Sequence, residues 1–113
     1  MESKISLIIS FLFVGLLEIG LSIPLILEKV PPNYLYGFRT KKTLSNKEIW
    51  YKANKYTGKD LLVIGLILLV GALILLIFRA KLSVLVIDYV GLVLILIPLL
   101  IVLVRGFRYL SKL

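Results

Sequence analysis

Three uninterrupted apolar blocks dominate the chain: Ile5 to Leu27, Leu61 to Phe78 and Leu82 to Val104, of 23, 18 and 23 residues. Each lies within the roughly 17–25 residues that a helix needs to cross a bilayer. Inside lipid a backbone must satisfy its own polar groups, so only helices and closed barrels span it. These runs do not alternate as barrel strands do. The expectation is an all-α membrane protein with three transmembrane helices, forming a single domain over residues 1–113. A soluble fold of 113 residues could not bury a composition that is 60% hydrophobic, and a disordered chain would be poor in Leu, Ile and Val. The first block exceeds a signal-peptide core of about 7–15 residues, has no clear small-x-small cleavage site and contains Glu18, so it is expected to be retained.

Charge gives orientation. The formal net charge is +8, from 14 Lys and Arg against 6 Asp and Glu. Three of the cations (Lys4, Arg79, Lys81) fall on one side of the predicted membrane. The other eleven fall in the 28–60 linker and the tail after Val104. The positive-inside rule then places the N-terminus outside and the linker and C-terminus in the cytoplasm, against an anionic inner leaflet. This explains the basic residues without nucleic acid, for which basic and aromatic interleaving in the linker is the weaker reading.

The chain has no Cys and no His. Disulfides, thiolate chemistry, the commonest general base and the commonest metal ligand are therefore missing, and no cofactor, metal site or catalytic residue is assigned. Two ionisable residues lie deep in the apolar blocks, Glu18 and Asp88. A carboxylate there costs at least ~2–3 kcal/mol unless paired, so each is a candidate functional residue. Helical rise puts them at depths differing by ~11 Å, too far for a direct pair without stagger. Glu18 is expected to approach the linker cations. Asp88 is expected to approach Arg79, Lys81 or a water pocket in the outer leaflet. The alternative for both is a locally hydrogen-bonded packing residue.

The linker 28–60 carries the remaining pattern. Pro31-Pro32-Asn33 ends the first helix, and Tyr34, Tyr36 and Phe38 follow at headgroup level. Ser45-Asn46-Lys47-Glu48 reads as a capping box starting a short helix to about Thr57, with Gly58 as its C-cap. Ile49, Trp50, Ala53, Tyr56 and Thr57 fall within an arc of about 120°. The pattern predicts an amphipathic helix in the membrane plane, anchored by Trp50, either as a lipid staple or as a docking face. Gly37 is expected to allow a positive φ or close approach. Asn33 and Asn54 are expected to cap or cross-link the linker. Arg39 is expected to pair with a headgroup phosphate or with Glu18, Glu28 or Asp60.

Asn33, Tyr36-Gly37-Phe38-Arg39-Thr40, Thr43-Leu44-Ser45, Trp50, Asn54 and Gly58 together resemble the signature of the SdpI family. That family is named for a bacterial membrane protein giving immunity to a secreted killing peptide. The resemblance covers the linker, and the hydropathy of one span before it and two after agrees. It implies a three-helix unit with a cytoplasmic signature loop. For the namesake it implies two roles, blocking a toxin at the membrane and holding a repressor away from DNA. The namesake is about twice as long as this three-span unit. Three function classes remain open. The first is a binding, regulatory or immunity module with a protein or peptide partner. The second is a small transporter or channel component using Glu18 and Asp88, which would require homo-oligomerisation. The least favoured is a carboxylate-dependent hydrolase.

Overall fold

The computed structural model describes residues 2–113, the side chains from residue 3 onward. Four α-helices follow in order: α1 (Glu2–Ile26), α2 (Lys41–Ser45), α3 (Lys47–Phe78) and α4 (Val84–Leu110). A single 3₁₀ turn, Arg79–Lys81, joins α3 to α4. Among the described residues there are no strands. Among the described residues, three helices are long and apolar enough to cross a membrane, as the three apolar blocks require. They form an elongated bundle of 51 × 23 × 19 Å.

Small residues set how closely α1 and α3 approach. The Gly65 carbonyl oxygen lies 3.2 Å from where a Cβ on Gly15 would sit, and the Gly15 oxygen lies 3.0 Å from the corresponding point on Gly65. Backbone rests on backbone here, the usual basis of tight helix packing in lipid, where no hydrophobic force drives helices together. The buried residues Phe11, Gly15, Glu18, Ser22 and Leu25 repeat at alternating spacings of three and four, giving α1 one continuous contact edge. Toward the end bearing the Arg79–Lys81 turn, Ile8 and Phe11 of α1 join Leu68, Ala72 and Leu75 of α3 and Ile87 of α4 in one apolar cluster. Lys4 closes this end by donating to the Arg79 carbonyl at 3.0 Å. Ser83 caps α4 by accepting from the Val86 amide.

The helix expected in the linker is present, but it is not a separate element lying in the membrane plane. Residues 47–60 continue without a break into the second span, so α3 projects ~20 Å beyond its apolar section. Gly58 does not end the helix. A Cβ there would lie 3.0 Å from Leu25 Cβ and 3.2 Å from the Ser22 oxygen, so glycine is needed for contact with α1 rather than for termination. The amphipathic pattern arises because the apolar side of this extension faces protein, not lipid. Its start is also one residue later than the Ser45 reading. Asn46 is the N-cap, accepting from the Ile49 amide at 3.1 Å, while Ser45 ends α2 and donates to the Lys42 carbonyl. The capping box lies instead at Thr40 and Thr43, where each side-chain oxygen accepts from the other residue's amide.

Candidate functional site

The segment from Val30 to Thr43 folds onto the end of the bundle opposite the Arg79–Lys81 turn, where most of the signature residues converge. Asn33 makes an Asx turn, its Oδ1 accepting from the Leu35 and Tyr36 amides at 2.8 and 2.7 Å. Its Nδ2 donates to the Pro31 and Tyr36 carbonyls, so all its polar atoms are used. This turn presents Gly37 with φ +115°, a conformation that L side chains rarely adopt. A Cβ on Gly37 would also lie 2.7 Å from Asn54 Oδ1 and 3.1 Å from the Trp50 ring. Glycine is thus required twice, by torsion and by space.

Asn54, 1% exposed on α3, receives the loop. Its Oδ1 accepts from the Phe38 amide at 2.6 Å, and its Nδ2 donates to the Trp50 carbonyl one turn back at 2.9 Å. Trp50 is fully buried, and its indole N–H donates to the Val30 carbonyl at 2.7 Å. It is therefore not an interfacial anchor: it lies beneath the loop, and its ring faces Gly37. Thr43, also fully buried, donates to the Phe38 carbonyl at 3.0 Å. Phe38 then reaches α4, meeting Phe107 edge to face with centroids 5.1 Å apart and packing on Gly106. Tyr36 reaches α1, its hydroxyl donating to the Leu21 carbonyl. Partial burial raises the Tyr36 pKa above the phenol's ordinary value, because the phenolate would be less well solvated there. The three-residue stretch Tyr36–Phe38 thereby ties α1, α3 and α4 together.

Arg39 does not meet the acidic partners expected for it. Its guanidinium donates to the Tyr34 carbonyl within the loop, and Asp60 is taken by Arg105 through a bond of 2.7 Å. Phe38, Thr43, Thr57 and Gly106 were not singled out as site residues by sequence. For Phe38 and Thr43 the signal was present, since both belong to the loop pattern. For Thr57 and Gly106 the role depends on packing between distant elements: a Cβ on Gly106 would lie 2.6 Å from the Phe38 ring and 2.9 Å from Thr57.

The intramembrane carboxylates are kept apart. Glu18 lies in the α1–α3 contact, 7% exposed, against Gly65. It forms no ion pair with the linker cations, and its Oε2 is buried without a hydrogen-bond partner among the described residues. It points into the helix contact, which keeps it from the cations at the bundle end. Asp88 makes no ion pair with Arg79 or Lys81 either; Arg79 turns back to the Leu76 carbonyl. Asp88 lines an open groove on the outside of α4 with Leu85, Tyr89 and Leu92. Nothing here joins the two carboxylates into a dyad or a common path, and no cluster of three acidic ligands exists among the described residues.

The loop's placement leaves a cleft of about 510 Å³ between α1 and α4. Leu21 and Leu25 form one wall, Leu103 and Phe107 the other, and Leu35 and Phe38 the roof. The cleft is apolar and within the usual range for a ligand site.

Three apolar spans and a folded polar loop at one end define a multi-pass integral membrane protein. A model of the SdpI/YfhL protein family matches residues 29–105, the loop and both following spans, and the chain belongs to that family. The uncharacterized protein YfhL of Bacillus subtilis (strain 168) is 32% identical over 59 residues, which make up 48% of this chain and 54% of that protein. The chain thus spans about half the length of this relative. No solved structure matches it.

Proposed function

We propose that the chain is a non-catalytic, immunity-type membrane module that binds an apolar or amphipathic peptide in the cleft beneath its signature loop. The loop and C-terminus face the cytoplasm in this reading, supported by the eleven of fourteen basic residues on that side. The observation that carries the proposal is how the signature residues are used. Asn33, Gly37, Trp50, Asn54 and Gly58 serve internal contacts that hold the loop rigid, and the product of that rigidity is a roofed apolar cleft. Its polar side chains are Tyr36, Arg39 and Thr57; Tyr36 and Arg39 donate to backbone carbonyls of Leu21 and Tyr34, and Thr57 to those of Ala53 and Asn54, while most of the remaining lining is apolar. Family membership supports the immunity-type class.

The test uses a photoreactive benzoylphenylalanine at Leu103, inside the cleft, or at Val70, on an exposed face of α3. Cells producing either variant are exposed to a secreted membrane-active killing peptide and irradiated. The proposal expects peptide adducts at Leu103 to exceed those at Val70 by about tenfold. It also expects Leu25→Trp, which fills the cleft, to abolish both adducts and protection. Equal labelling at the two positions, with protection unaffected by Leu25→Trp, would remove the cleft from the account.

A further inference from the structure

A second surface lies between α3 and α4, and none of the signature contacts uses it. Arg105, Arg108 and Lys112 converge there with Tyr56 and Tyr109 around a polar pocket of about 290 Å³. The two tyrosine rings stack at 4.2 Å with an interplanar angle of 1°, and the Arg105 guanidinium sits 5.5 Å from the Tyr56 ring centre. Arg105 is neutralised by Asp60. Arg108 and Lys112 enter no ion pair among the described residues, which leaves the pocket with two uncompensated positive charges.

Directly below, toward the membrane centre, Arg105 and Asp60 also border an apolar groove of about 390 Å³. Val63 and Ile67 of α3 and Pro98 and Ile101 of α4 line it. The Asp60–Arg105 pair thus marks a boundary between a cationic, aromatic pocket and a greasy channel running along the helices. Cations in the last turn of α4 would by themselves be explained by the helix dipole. The dipole explains neither the stacked tyrosines beside them nor the continuous groove beneath.

We propose that this composite surface is a binding site for one anionic phospholipid of the leaflet on the basic side. The phosphate group lies among Arg108, Lys112 and Arg105, and an acyl chain lies along the groove between α3 and α4. Arginine and lysine supply charge-assisted donors to phosphate oxygens, and the tyrosine pair occupies the headgroup depth at which such rings settle. Asp60 holds Arg105 at the pocket's edge, so the site is preformed on one side. A peptide of acidic character would meet the cations but has no use for a groove that runs within the hydrocarbon layer.

The test measures thermal unfolding of the purified full chain in neutral detergent with added phosphatidylglycerol, phosphatidylcholine or inorganic phosphate. Phosphatidylglycerol is expected to raise the melting temperature more than phosphatidylcholine, and inorganic phosphate to leave it unchanged. The double variant Arg108→Ala with Lys112→Ala is expected to weaken the preference for phosphatidylglycerol by about 30-fold, from roughly fivefold per cation. The control Lys29→Ala with Lys47→Ala removes the same charge elsewhere and is expected to keep the preference. Equal shifts by the two lipids would overturn the proposal. So would an equal loss in both double variants, which would mean net charge alone attracts lipid. A shift of the same size with inorganic phosphate would assign the pocket to a free anion instead. Because melting reports folding directly, a variant that fails to fold is recognised as such, and Arg108→Gln with Lys112→Gln then carries the comparison.

Discussion

At the end of the bundle bearing the N-terminus and the Arg79–Lys81 turn, Ile8, Phe11, Leu68, Ala72, Leu75 and Ile87 pack directly against one another. At the opposite end the gap between α1 and α4 is bridged by Tyr36–Phe38, fastened to α3 by Asn54 and to α2 by Thr43, and underlain by Trp50. The core of the first end is held by shape, with Lys4 donating to the Arg79 carbonyl at its rim, and several sets of apolar side chains of similar volume fill such a core. The second depends on particular donors and acceptors at particular angles, with buried polar groups that are costly if left unpaired. A recognisable motif therefore belongs at the loop and not in the spans, where hydropathy and a few small residues suffice.

Substitutions at the two ends sharpen this contrast, with reversible unfolding in mixed micelles as the measurement. The largest effect is expected for Trp50→Ala, which empties a fully buried site and orphans the Val30 carbonyl, at about 3–5 kcal/mol. Asn54→Leu keeps the branched shape but leaves the Phe38 amide and the Trp50 carbonyl without their side-chain partner, and is expected to destabilise by about 1–3 kcal/mol. Leu68→Met, the comparable conservative change in the apolar cluster near the Arg79–Lys81 turn, is expected to stay below about 1.5 kcal/mol. Should Leu68→Met prove the worse of the two, the division between the ends would be wrong.

Tyr36→Phe removes one hydrogen bond to α1 and is expected to cost about 1 kcal/mol. This smallest effect carries a pH signature. The folded-state pKa of Tyr36 is raised from the ordinary value of 10.0, so the folded chain holds the phenol proton more tightly than the unfolded chain does. Its contribution is fully present below pH 10 and is lost as pH rises through the folded-state value. The wild-type chain should therefore lose stability over that alkaline range more steeply than Tyr36→Phe.

The spans were legible because an apolar block in lipid has one solution. The α3–α4 turn was legible because Arg79-Ala80-Lys81 leaves room for nothing longer. The extension of α3 was not. Gly58 carries the local signal of a helix end, and only its contact with Leu25, more than thirty positions earlier in the chain, shows why glycine continues a helix there. Trp50 misled for the same reason: on an amphipathic segment beside a membrane it reads as an anchor, and its true partner, the Val30 carbonyl, lies 20 residues away. Asn33 and Gly37 were easier, since an Asx turn and a positive φ are local matters. Asp60 was named as a partner for Arg39, but it pairs with Arg105, 45 residues along the chain, a choice made by how α3 and α4 pack.

The cleft and the bridge between the helices both depend on Phe38 lying against α4 rather than floating above the bundle. The chain contains no cysteine, so a pair can be introduced cleanly. Phe38→Cys with Phe107→Cys replaces rings whose centroids are 5.1 Å apart, and Tyr34→Cys with Phe107→Cys serves as the control from a loop position that is 78% exposed. In native membranes treated with a short bifunctional thiol reagent that spans the width of two rings, the first pair should cross-link nearly completely and its loop thiol should react slowly with a water-soluble maleimide. The control pair should stay uncrosslinked and label fast. If Phe38→Cys labels as fast as Tyr34→Cys and does not cross-link, the loop is not wedged between the helices, and the cleft it roofs does not exist.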